Sequence, residues 1–324
     1  MPYHGINLMI STHKIEVVPV QLEPHPNADS LSLVRVFDHY ICAVRTEDWK
    51  DRSLGAYCPP DSVMPDLPEY AFLKGHFRIK ARKLRGVVSQ GLLIAAPEGA
   101  NIGDDVAERL GITHYEPPVR FRMGEDGPPP PIAGPYYDIE NWFRYGNLIP
   151  PGTPVEITEK LHGTNFRVTW QRDKIWVAAR SRYRKPSGES LYWQALDDNP
   201  WLAELAQSRP NAVIYGEIFG CVQDLKYGAP NQRLIRVFDV FEDGRFLDVE
   251  HRDQFLPVER RPPVLYSGPY ADRHVEEHLN GPSAFPGADN IREGVVIRPH
   301  SEMFNEEIGR VILKAVSPMY LERA

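Results

Sequence analysis

The chain has 324 residues, of which 42% are hydrophobic and 25% charged, with a formal net charge of −7. That length allows two domains with separate cores, and the composition excludes a fibrous or disordered class. Cys42, Cys58 and Cys221 are odd in number and far apart, which argues against a disulfide framework or a structural zinc site.

The first residues lack the basic-then-apolar pattern of a signal peptide, and no apolar run approaches membrane-spanning length. A cytoplasmic protein is the expectation. Short alternating runs separated by turns predict strands at 14–20, 31–37, 40–45, 77–81 and 91–95. Such a series suggests a small antiparallel barrel or sandwich. Pro117-Pro118, the run of four prolines ending at Pro131, and Gly134-Pro135 then interrupt the chain. These residues suit neither helix nor central strand, so 121–149 is expected to be an exposed linker between domains at 1–120 and 150–324.

Beyond the linker, strands are predicted at 155–158, 166–170, 175–179, 213–219, 235–241, 294–298 and 310–315, with helices at 190–196 and 201–206. Strands interleaved irregularly with helices fit an α+β domain. No Gly-x-x-x-x-Gly-Lys-Ser/Thr loop or Gly-x-Gly-x-x-Gly turn is present, so neither common phosphate cradle is available. Instead, Glu159-Lys160-Leu-His162-Gly163-Thr-Asn165 follows a predicted strand, placing a potential nucleophile before a turn. Gly163 would let that turn pass close to a nucleotide.

Further segments follow in order: Arg180 at the end of an apolar strand, Tyr215-Gly-Glu217-Ile-Phe-Gly220, Phe238-Asp239-Val240, Glu293-Gly-Val-Val-Ile297 and Val311-Ile-Leu-Lys314. Glu217, Glu293 and Lys314 each sit in an apolar setting. A charge there costs stability unless it has a partner or ligand.

In this order the segments resemble the nucleotidyltransferase motifs of the covalent ligase and mRNA-capping superfamily. The Lys-x-His-Gly form of the first motif is similar to that of ATP-dependent RNA ligases, in particular the Deinococcus type with an N-terminal OB-like module. The resemblance implies an OB-like β-barrel joined to an adenylation domain of ATP-grasp-like kind, with antiparallel sheets and flanking helices. It implies that Lys160 attacks the α-phosphate of ATP and carries AMP, and that His162 serves transfer of AMP onto the nucleic-acid end. Glu159, Asn165, Arg180, Glu217 and Phe238 are implied to hold the nucleotide, with Phe238 stacking on adenine. Glu293 is implied to hold Mg2+ or Mn2+, and Lys314 to face the α-phosphate. The implied partner is nicked duplex RNA or an RNA–DNA hybrid, with no membrane and no obligatory protein partner.

One position departs from the pattern: a second lysine is common two residues after the first in the last motif, but Val316 stands here. Lys226 or Arg298 could supply that charge. Val316 also favours an alternative reading, a nucleic-acid-binding protein with an inactive transferase domain. The charged residues retained in apolar strands weigh against it.

In the N-terminal part, His25-Pro-Asn27-Ala-Asp29 resembles the opening of tRNA-binding OB modules. The segment 74–85 holds six Lys or Arg and no acid. Strand periodicity sets Arg78, Lys80 and Arg82 on one face, a stripe suited to a phosphate backbone. Arg182 and Lys185 form a second basic segment beside Tyr183. His274-Val-Glu-Glu277-His278 has the spacing of an inverted zinc-protease motif, but a polar setting without an evident third ligand makes it an exposed helical turn.

Overall fold

The computed structural model describes residues 13–115 and 125–323, and the chain divides into two compact units, 1–119 and 120–324. Among the described residues no helix is long and apolar enough to cross a membrane.

The regular elements of the first unit are mostly short strands, with brief helical turns at Thr46–Trp49, Pro68–Leu73 and Ala107–Leu110: β1 (Glu16–Pro19), β2 (Leu22–Pro24), β3 (Leu31–Val36), β4 (Tyr40–Arg45), β5 (Leu54–Cys58), β6 (Ser62–Val63), β7 (Arg82–Leu84), β8 (Val87–Ser89), β9 (Leu92–Ala95) and β10 (Thr113–His114). They pair as β1-β5-β9, β2-β3-β4, β10-β6 and β7-β8, all antiparallel. Ile15, Val17, Ala56, Met64, Ile79 and Ile112 fill its core. In β4 burial alternates, with Tyr40, Cys42 and Val44 turned inward, as a period of two requires. Cys42 and Cys58 are buried as free thiols. The run 77–81 forms no strand: it makes a single bridge, Val63 to Arg78, and the basic hairpin lies just after it in β7 and β8.

The second unit contains β11 (Glu140–Asn141), β12 (Pro154–Glu159), β13 (Thr164–Gln171), β14 (Lys174–Ala178), β15 (Tyr183–Arg184), β16 (Val213–Gly220), β17 (Arg233–Glu242) and β18 (Arg245–Phe246). It continues with β19 (Val264–Pro269), β20 (Gly294–Pro299), β21 (Phe304–Asn305), β22 (Gly309–Arg310) and β23 (Leu313–Val316). A six-stranded sheet runs β15-β14-β13-β16-β17-β18 and a five-stranded sheet β11-β23-β20-β12-β19. Only β11 pairs in parallel in these sheets. Helices Leu191–Asp198 and Pro200–Ser208 bury Ala195, Leu196, Leu202 and Ala206 against Phe166, Val168, Ile214, Ile218 and Val237. That covers one face of the six-stranded sheet. The expected strand at 310–315 is broken, because β22 pairs with β21 while β23 joins the five-stranded sheet.

The proline-rich stretch is not an exposed linker from residue 125 onward; Pro117 and Pro118 lie outside the described residues. Its backbone is bound along the second unit. Gln171 takes both the N–H and the carbonyl of Ile132, the Tyr183 hydroxyl donates to the Ala133 carbonyl, and that of Tyr215 to the Pro135 carbonyl. Proline lacks an N–H but keeps a carbonyl acceptor, so such a run can dock through side-chain donors without joining a ladder. Trp142, Phe143 and Tyr145 are then fully embedded.

Candidate active site

Between the two sheets of the second unit lies a cavity of about 380 Å³. Its lining comes from strands and their ends: Thr158 on β12 and Lys160 just after it, Asn165 on β13, Glu217 on β16, Phe238 on β17, Val296 and Arg298 on β20, and Lys314 on β23. Arg180 and Asp138 stand at its edge. Residues far apart in the chain thus meet in one space.

Lys160 Nζ is 2.7 Å from Glu293 Oε1, and the other Glu293 oxygen is 3.4 Å from His162 Nδ1. Burial acts to raise the Glu293 carboxyl, but the Lys160 charge, with the His162 imidazole beside it, wins and holds it below the usual range. His162 Nε2 lies 2.7 Å from Asp224 Oδ1. Burial would lower this imidazole, yet Glu293 and Asp224 together raise it above its ordinary value. The loop after β16 grips the lysine-bearing turn: the Tyr227 hydroxyl accepts the His162 N–H at 2.7 Å, and Gln223 donates to the Gly163 carbonyl.

Glu217 sits opposite Asn165 in the β13–β16 register. Burial drives its carboxyl up to about 8, with the Lys160 charge only partly opposing. Lys314 is pushed below its ordinary value, first by burial, while Asp138 and Glu140 pull the other way. Arg180 pairs with Asp138 at 2.6 Å and lies 5.0 Å from the Tyr136 ring. Phe238 packs against Tyr137 with centroids 4.9 Å apart, and its carbonyl accepts from both Arg252 and Arg298. Asn165 Oδ1 and Glu293 Oε2 are buried oxygens with no hydrogen-bond partner.

Two residues depart from the sequence expectation. Glu159 lines the cavity, but its carboxylate accepts the Ala284 N–H at 2.7 Å, so it braces a neighbouring loop. Gly163 is needed for a different reason than closeness to a ligand: a Cβ there would lie 2.0 Å from the Ile218 carbonyl oxygen. Neither suggested substitute for the lysine absent at Val316 is uncommitted. Arg298 is bound to Asp239 and Glu302, and Lys226 to the carbonyls of Cys221 and Gln223.

Sequence reasoning missed the ionic floor of this cavity. Arg252 Nη2 is 3.0 Å from both oxygens of Glu156, and Arg298 and Arg310 clasp the wholly buried Asp239. Glu156 stands in the apolar run Val155-Glu156-Ile157, the same signal that drew attention to Glu217. The clasp of His162 by Asp224 and Tyr227 carried no local signal.

Outside this cavity, the candidate nucleic-acid residues divide. Arg78 pairs with Asp61 at 2.7 Å and lies 3.6 Å over the Tyr115 ring, and Arg182 pairs with Asp126 at 2.8 Å; both are tied into their own units. Lys80, Arg82 and Lys185 are exposed. His274 and His278 lie on the helix Asp272–Leu279, where His274 stacks on Tyr266, and no metal-binding group of His, Cys, Asp or Glu occurs among the described residues.

A small all-β module followed by two antiparallel sheets closing on a lysine–carboxylate pair defines the covalent nucleotidyltransferase type of architecture. The chain belongs to the RNA ligase family, whose model matches residues 153–316, just over half of it; a separate OB-fold domain model matches residues 10–96. In fold it is similar to Naegleria gruberi RNA ligase. A mutant of that protein with ATP and Mn superposes with TM-score 0.78 at 22% identity, covering 95% of this chain and 98% of that one. Another mutant, with AMP and Mn, gives 0.77 at 24% over 96% and 99%. The phenylalanine–tRNA ligase beta subunits of two Legionella pneumophila strains are 37% identical over 92 residues, 27% of this chain. The chain spans about a tenth of the length of these curated relatives.

Proposed function

We propose that the protein is an ATP-dependent RNA ligase that joins 3′-OH and 5′-phosphate ends, with nicks in duplex RNA or RNA–DNA hybrids as substrate. The observation that carries this reading is the convergence of Lys160, Glu217 and Lys314 on one cavity, with Glu293 paired to Lys160 behind it. Ionisable groups withdrawn from water are costly unless they have a partner, and their gathering around an open space is best accounted for by a charged ligand.

In the first step Lys160 Nζ, having lost a proton, attacks the α-phosphorus of ATP. A P–N bond forms, the bond to the bridging oxygen breaks, and pyrophosphate leaves with the electron pair. Next an oxygen of the RNA 5′-phosphate attacks the same phosphorus, the P–N bond breaks, and the lysine regains a proton. The 3′-OH then attacks the activated 5′-phosphate, forming the phosphodiester and releasing AMP. Catalysis of this kind rests on positioning and on neutralising charge.

Phe238 stacks on the adenine, Glu217 binds the ribose hydroxyls, and Asn165 and Arg180 hold the ribose and the adjacent phosphate. Lys314 faces the α-phosphate. Arg180 must exchange Asp138 for phosphate, a small loss because that pair is half-exposed. His162, oriented by Asp224 and Tyr227, serves the transfer of AMP to RNA. A Mg2+ or Mn2+ ion suits the donor set, since Glu293 Oε2 is a buried hard oxygen without a hydrogen-bond partner. Such an ion supplies positive charge to the phosphate oxygens when bound. Exposed cations on the OB-fold unit and Lys185 are the candidate contacts to RNA.

Incubation with radiolabelled ATP and either metal, followed by a denaturing gel, tests the reading. The expected result is an acid-labile labelled band, absent from Lys160→Ala and absent with labelled GTP. A folded protein that takes no label with either metal would favour the inactive, RNA-binding reading that Val316 suggests.

A further inference from the structure

We infer that the β7–β8 hairpin is a rigid finger that grips the phosphate backbone of duplex RNA, and that the His25–Asn27 turn exists to hold it in place. The inference rests on the RNA ligase reading above and assigns a particular element of the first unit to the RNA.

The hairpin is joined by only two residues, Arg85 and Gly86, at φ 48° and 93°. Both are in the left-handed region, the pattern of the tightest hairpin turn, whose twist matches that of the strands it joins. Its base is tied to β4: the Ala43 N–H donates to Ser89 Oγ at 3.0 Å, and the Gln90 N–H to the Ile41 carbonyl at 2.7 Å. Its tip is tied separately. His25 Nδ1 accepts the Asn27 N–H at 3.1 Å, which fixes the tautomer with the proton on Nε2. That proton is directed at the Leu84 carbonyl, 3.2 Å away. Asn27 Nδ2 donates to the Arg85 carbonyl at 2.9 Å. A buried histidine and an asparagine thus hold Leu84 and Arg85, where the ribbon enters its turn.

What the brace presents is charge. Lys80, Arg82 and Arg85 are exposed, and none has an acidic partner among the described residues. Three other arginines of this unit are engaged: Arg35 with Glu23, Arg78 with Asp61, Arg109 with the Glu98 carbonyl. A solvated basic face needs no support from a buried histidine. Cations fixed on a braced ribbon lose little conformational freedom on meeting a polyanion, which favours tight binding. Duplex RNA is recognised largely through its backbone and shape, so a protruding row of cations fits it without reading sequence.

The test measures binding of the full-length protein to a fluorescent nicked RNA duplex over a salt series, with labelling by ATP followed in parallel. Arg82→Ala/Arg85→Ala is expected to weaken binding about tenfold and to flatten the plot of log affinity against log salt by roughly 1.8, as loss of two phosphate contacts requires. Labelling by ATP should be unchanged. Asn27→Ala removes no cation; it should weaken binding several-fold and leave the salt slope intact. Unaltered affinity and slope in the double variant would overturn the finger, and unaltered affinity in Asn27→Ala would overturn the brace. Absence of ATP labelling in the parent protein would count against the ligase chemistry alone, because the binding series is read independently.

Discussion

Glu217 is a cavity carboxyl whose chemistry departs far from its free form. Its carboxyl is raised by burial to about 8 from an ordinary value of 4.5, so the folded chain holds a proton that the unfolded chain gives up. Between those two values the folded state binds more protons, and stability must fall as pH rises. Thermal unfolding of the ligand-free protein should therefore show a midpoint that declines across this window. The decline should be smaller in Glu217→Gln, and an identical pH dependence in the two proteins would contradict the assignment. Gly163 gives a second test at this scale. With the Ile218 carbonyl 2.0 Å from the position of a Cβ, Gly163→Ala must push β13 from β16 or distort the turn that carries Lys160. The expected cost exceeds about 2 kcal/mol, accompanied by loss of ATP labelling. A stable variant that still labelled would show that the turn has slack.

At the scale of elements, the Arg252–Glu156 pair links the helix Val249–Asp253 to β12 through side chains only 3% and 5% exposed. Arg252→Met leaves the Glu156 carboxylate buried with only the more distant Arg261 guanidinium, at 4.0 Å, and should destabilise by about 3–5 kcal/mol in denaturant unfolding. Adding Glu156→Leu should recover much of that loss; no recovery would mean that the arginine acts through packing. This pair also marks what could be read from sequence. The strands that carry Glu217 and Phe238, and those flanked by Lys160 and Glu293, were legible, because burial on both faces writes a nearly continuous apolar run in which a charge stands out. The basic run 74–85 was legible as composition, but its geometry was not. Arg78 is taken by Asp61 and Tyr115, and the exposed cations fall on a hairpin that begins beyond the strand periodicity had placed there. The proline-rich stretch misled for a related reason: its partners, Gln171, Tyr183 and Tyr215, lie far along the chain and leave no local trace.

Across the whole molecule, charge is unevenly held. A chain with a net charge of −7 carries a run of six basic residues without an acid, so its affinity for RNA should be set by that run and not by the total. The two units also differ in their thiols. Cys42 and Cys58 are buried in the first, and burial pushes the Cys58 thiol up to about 12 and Cys42 higher still, so neither ionises readily. Cys221, in the second, is only half-buried. A disulfide reagent should therefore modify one thiol quickly and two slowly in the native protein, and all three quickly in denaturant. Three fast thiols without denaturant would mean that the core of the first unit is open.

That difference makes the chain its own stopwatch. Once Cys221 has been capped, every further sulfur consumed records an excursion in which the all-β unit bares its interior. The tempo of those excursions, followed with and without RNA, would report how firmly nucleic acid grips that unit, with no dye attached.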